Sequence, residues 1–60
     1  MSQRATDALF QSLFLLTDIR AILRKTAPLH LLSAEEKKEA EKILSGVKRQ
    51  VEILEEELLR

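Results

Sequence analysis

Ala40, Leu44, Val47, Val51, Leu54 and Leu58 recur at alternating steps of four and three. That rhythm draws one narrow apolar seam along an α-helix, the contact line of a coiled coil. The residues between are read as charged or small. A helix of this kind is not stable alone in water, because its seam needs cover from another helix. The rest of the chain is therefore expected to supply that cover, and the expected class is all-α.

Residues 3–26 read as the first helix, with Ser2 as its cap. Its main stripe is Ala5, Ala8, Leu9, Ser12, Leu15, Leu16, Ile19, Ile22, Leu23 and Thr26. These are the a, d and e positions of a heptad, a width suited to a bundle core. A second apolar patch, Phe10, Leu13, Phe14 and then Ala21, lies off that stripe at helical spacing. The first half of this helix is thus apolar nearly all round, which a single partner helix does not cover.

Pro28 ends the first helix, since the residue before a proline is pushed out of the α region. The connection is read as Ala27 to Leu32, with Leu29, Leu31 and Leu32 expected to plug one end of a bundle. Ser33-Ala34-Glu35-Glu36 fits a capping box, and its two glutamates suit the positive end of the helix dipole. The second helix is expected over residues 34–59. Two helices of about 36 and 39 Å joined by a short loop make an antiparallel helical hairpin. Folding near residue 30 brings Leu44 to Leu16, Val51 to Leu9 and Ala40 to Ile19. Gly46 then falls near Phe14. A glycine inside a helix costs about 1 kcal/mol relative to alanine. It is read either as letting a bulky ring, such as Phe14 of another copy, approach the backbone or as a tolerated defect on an exposed face.

The chain has 60 residues, room for one small domain over 1–60. A chain this short is marginal as a monomer, and small scaffolds add disulfides, a metal or a partner. There is no cysteine and only one histidine, His30. Disulfides are excluded, and an all-protein zinc site is disfavoured. Association is the remaining stabiliser. The expected assembly is a homodimeric four-helix bundle with Leu9, Leu16, Ile19, Leu23, Leu44, Val47, Val51 and Leu54 as its core. Phe10, Leu13 and Phe14 would extend the subunit or partner contact.

Ten basic residues balance ten acidic ones, without the basic excess usual in a nucleic-acid binder. No run of alternating β-branched residues suggests a strand. Leu13-Phe14-Leu15-Leu16 is too short for a membrane span, and Asp7 sits where a signal peptide would not carry it. The whole chain is expected to be the mature chain. The lack of cysteine fits a cytoplasmic protein.

Catalysis needs a nucleophile, a tuned acid or base, and a pocket. Ser12 and Ser45 have no visible base, His30 falls in the loop, and no Glu-x-x-His pair or glycine-rich phosphate loop is present. The chain reads as a non-enzyme without a cofactor or metal. Arg20 and Arg24 are one turn apart and Lys25 follows, a group able to bind an anion, since guanidinium suits phosphate. No aromatic interleaves them to stack on bases.

In length and layout the chain resembles the plasmid Rop-type RNA-binding hairpins, in which two copies pair into a four-helix bundle. The helix, the Pro28 turn and the Ser33 and Glu36 start of the second helix are also similar to small phage hairpins that sequester nucleotide signals. The type III secretion co-chaperones share the layout. These likenesses imply an RNA or nucleotide ligand in the first two cases and a partner protein in the third. The expected function is a self-associating interaction or regulatory module. The alternatives are RNA or nucleotide binding through Arg20, Arg24 and Lys25, and a hetero-complex through Phe10, Leu13 and Phe14.

Overall fold

The computed structural model describes residues 2–59 as two helices packed against each other, α1 (Gln3–Lys25) and α2 (Ala34–Leu58). Their ends lie within a residue of the sequence reading because local chemistry sets them. At the start of α1 the Ser2 side chain accepts a hydrogen bond from the Ala5 amide at 3.1 Å. At the start of α2 the Glu36 amide donates to Ser33 Oγ at 3.1 Å. The Ser33 amide donates to Glu36 Oε1 at 2.8 Å, which completes the capping box. The second of these favours the charged form of Glu36, whose carboxyl is held below its usual range, first by the Ser33 amide and then by the Ser33 side chain and the charge of Lys25.

Between the helices, His30 takes a left-handed backbone angle, φ 55°, which costs an L-residue strain that glycine avoids. Its amide donates to the Thr26 carbonyl at 2.9 Å and helps close the end of α1. The expected plug of loop leucines is corrected: Leu29 and Leu31 are exposed, and only Leu32 is half-covered. The turn is too short to fold them back over the helix ends.

The register follows three contacts along the pair. Arg4 reaches Glu57, with Nη1 3.0 Å from Oε2. Leu15 lies against Gly46. Lys25 Nζ lies 3.8 Å from Glu36 Oε2. These agree with the expected fold-back about residue 30. A Cβ placed on Gly46 would stand 3.0 Å from Leu15 Cδ1. The glycine is half-covered and makes room for Leu15 of its own chain, which corrects both readings: it neither admits a phenylalanine ring of another copy nor lies on an exposed face.

The face that α2 turns to α1 shares Ala40, Val47 and Leu54, all half-covered, with the seam read from the sequence, but Leu44, Val51 and Leu58 are exposed. Ile43 is buried, and Gly46, Val47, Gln50, Ile53, Leu54 and Glu57 are half-covered. Ile43 and Ile53 break the reading that the intervening residues are charged or small. On α1 the buried positions are Ala5, Ala8, Ser12 and Ile22, with Leu15 and Ile19 half-covered. Ser12 costs little there, because its Oγ donates to the Ala8 carbonyl at 2.8 Å. The most deeply buried positions of α1 are thus mostly small residues, the larger seam side chains are mostly half-covered, and no large side chain among the described residues is fully buried.

Candidate interaction face

Of the expected bundle core, Ile19, Val47 and Leu54 are half-covered within the hairpin, while Leu9, Leu16, Leu23, Leu44 and Val51 are exposed. The change falls between neighbours: Ile43 keeps 9% of its surface exposed and Leu44 keeps 45%. The exposed set follows a rule. On α1, Leu9, Leu13, Leu16 and Leu23 each come one residue after a covered position, namely Ala8, Ser12, Leu15 and Ile22. On α2, Leu44, Val51 and Leu58 each come one residue after Ile43, Gln50 and Glu57.

One residue is a turn of roughly 100° about the helix axis. Both outer stripes are therefore rotated from the shared seam in the same sense along the chain. The two helices run in opposite directions, so equal rotations along the chain point to the same side of the hairpin. The exposed leucines of α1 and the Leu44, Val51 and Leu58 stripe of α2 thus lie on one mainly apolar face. Polar groups interrupt it at Arg20, which repeats Leu13 seven residues on, and at Lys37, seven residues before Leu44. Glu41, Lys48 and Glu55, themselves seven apart, run along its α2 edge.

The phenylalanines lie elsewhere. Phe10 and Phe14, 53% and 66% exposed, sit on the side of α1 turned away from α2, and Leu13 lies between them and the leucine face. Of the interface residues read from the sequence, Leu9, Leu13, Leu16 and Val51 therefore share one face. Val47 and Leu54 serve mainly the intrachain seam, and Phe10 and Phe14 form a separate patch.

The candidate anion group divides. Lys25 turns toward Glu36 across the hairpin. Arg20 and Arg24 stay exposed and adjacent, with Arg20 at the leucine face. At the far end, Arg4 donates to Glu56 and Glu57, both at 3.0 Å, and Ser2 Oγ donates to Glu57 Oε1 at 2.6 Å. Those hydrogen bonds, that to Glu56 first, raise the Arg4 guanidinium above its ordinary value. This cluster clamps the start of α1 to the end of α2.

Among the described residues, no group of three or more histidine, cysteine, aspartate or glutamate side chains could hold a metal ion. No helix among them is long and apolar enough to cross a membrane. Chemically the molecule is a helical hairpin with an uncovered apolar flank. Compared with known proteins, the chain matches no family model, no curated protein and no solved structure.

Proposed function

We propose that this chain is a non-enzymatic interaction or regulatory module of the cytoplasm that works as a self-associated pair of hairpins, a four-helix bundle. The observation that carries the reading is the leucine face: Leu9, Leu13, Leu16, Leu23, Leu44, Val51 and Leu58 lie on one side of the hairpin and are all at least 38% exposed. An apolar surface of this extent on so small a chain favours association, because burying a leucine or valine contributes about 1.5–3 kcal/mol. The four apolar residues buried inside the hairpin, two of them alanines, are a meagre core for a chain that must order two long helices.

The test is the mass in solution by sedimentation or light scattering from micromolar to millimolar concentration. The expected result is twice the chain mass of 6.9 kDa, or a larger multiple. Leu16→Glu and Val51→Glu should each return the mass to a single chain. A wild-type chain that stays single at millimolar concentration sinks the reading.

A second reading rests on the phenylalanine patch, which a dimer built on the leucine face leaves outside. There the chain would act as an adaptor or chaperone for another protein, in contact with Phe10, Leu13 and Phe14. Binding of RNA or a nucleotide through Arg20, Arg24 and Lys25 has less support, because Lys25 is turned to Glu36 and the two arginines have no aromatic beside them.

A further inference from the structure

The partner for the leucine face is a second copy of this chain, and we propose that it docks with its loop at the same end, so that α1 of each copy lies over α2 of the other. The inference rests on the self-association proposed above and adds the arrangement. Size permits it: the Cα frame measures 41 by 16 Å across this face. That is roughly 650 Å² per copy and about 1,300 Å² for the pair, within the range of stable interfaces.

A twofold pair can stack face to face in two ways. With the loops at the same end, the axis runs along the helices and residue heights are unchanged between copies. The intrachain register then also sets the register between chains. Since Arg4 is level with Glu57, Leu15 with Gly46 and Lys25 with Glu36, Arg20 is level with Glu41. Leu16 comes beside the partner's Leu44, and Leu9 beside the partner's Val51. Arg20 lies at the outer edge of α1 and Glu41 at the outer edge of α2, and stacking α1 on the partner's α2 brings those edges together. Two Arg20–Glu41 pairs form across the interface. Among the described residues neither side chain has an ion-pair partner within its own chain. The like-charge approach in this arrangement, Lys37 to the partner's Arg24, lies near the loop end, where both long side chains reach solvent.

With the loops at opposite ends, α2 lies over α2 and α1 over α1. Matching Leu44 to the partner's Val51 then sets Glu41 beside the partner's Glu55, and Lys48 beside the partner's Lys48. It also sets Arg20 level with the partner's Thr6 and Asp7, and Asp7, one residue before the buried Ala8, is turned to the opposite flank. Charges at the edges of an apolar seam decide the orientation of paired helices, and here they oppose this arrangement three times.

The experiment uses the full chain, which has no cysteine, with Leu29→Cys carrying a nitroxide in the loop. Loops at the same end place the two labels about 20 Å apart, and loops at opposite ends about 40 Å or more, given a rise of about 1.5 Å per residue. Alongside, Glu41→Lys should weaken the dimer about three- to tenfold, as should Arg20→Glu, and the double exchange should restore it. In the opposite arrangement Glu41→Lys removes a repulsion and tightens the dimer. A long label distance, or a tighter Glu41→Lys dimer, overturns the arrangement and leaves the self-association standing. A chain that stays single at every concentration overturns both.

Discussion

The seam inside the hairpin and the face on its flank are made of different residues. Inside stand Ala5, Ala8, Ser12 and Gly46, with Ile22 and Ile43 buried and Leu15, Ile19, Val47, Ile53 and Leu54 half-covered. Outside stand five leucines of the two stripes' central turns, Leu9, Leu13, Leu16, Leu23 and Leu44, with Val51 and Leu58. A self-sufficient two-helix protein would cover the large side chains of its seam fully and leave few on its flank. Small residues let α1 and α2 approach closely but remove little apolar area from water. The intrachain seam thus positions the helices, and the larger hydrophobic contribution is left to whatever covers the flank.

Adjacent residues give the most direct way to break that contrast. Ile43→Ala removes packing inside the hairpin and Leu44→Ala removes packing on the flank. If the flank is covered in solution, both should destabilise by about 2–4 kcal/mol per site, since large-to-small changes in a packed core cost that much. The Leu44→Ala loss should also appear as a melting temperature that depends more steeply on protein concentration. A Leu44→Ala chain as stable as the parent would mean that the flank faces water.

Gly46 tests the close approach. Gly46→Val drives two methyl groups toward Leu15, whose Cδ1 is already 3.0 Å from a Cβ position. Denaturant unfolding should show a loss of about 1–3 kcal/mol from overpacking. Gly46→Ala should be close to neutral, because its gain in helix propensity of about 1 kcal/mol is set against a contact that the half-covered Leu15 can relieve by shifting.

Smaller effects are expected where α2 begins. Ser33→Ala removes the acceptor for the Glu36 amide and should cost about 1 kcal/mol in chemical unfolding. The linked carboxyl gives a pH signature. Glu36 is held below the ordinary glutamate range by the Ser33 amide, so its contribution is fully present above that range. Below it the unfolded chain takes up the proton first, and the contribution falls away as the pH drops through the folded value. The stability gap between the parent and Glu36→Gln should be flat above about pH 5.5 and change only in the acid limb.

The smallest change is expected at the phenylalanines. Phe10→Ser with Phe14→Ser should alter self-association by less than about 0.5 kcal/mol, as surface substitutions away from an interface do. A double variant that sediments as a single chain would move the interface from the leucine face to the aromatic patch.

Both helices, their caps, the turn and the pairing register were legible in the sequence, because each has a local signal. Ser2 and Ser33 are followed by free amides, Pro28 interrupts the helix, and two runs of similar length leave one way to fold back. The candidate face was legible only in part. Leu9, Leu13, Leu16 and Val51 were named for it, but Val47 and Leu54 belong chiefly to the inner seam, and Ile43 and Ile53 were passed over. Their signal was present as a second set of three- and four-residue steps, Ile43, Gly46, Gln50 and Ile53, hidden by the glycine, the glutamine and the neater leucine series beside it.

The sequence alone determined that this chain makes two amphipathic helices and where each starts and stops, since caps and periodicity act over a few residues. Only the tertiary structure decided which of two overlapping apolar stripes turns inward. Stripes one residue apart satisfy the same helical period and differ only by a rotation about the axis. That rotation is set by packing between the helices: with Leu15 against Gly46 and Ala5, Ala8 and Ile43 turned inward, the leucines one residue on face the flank.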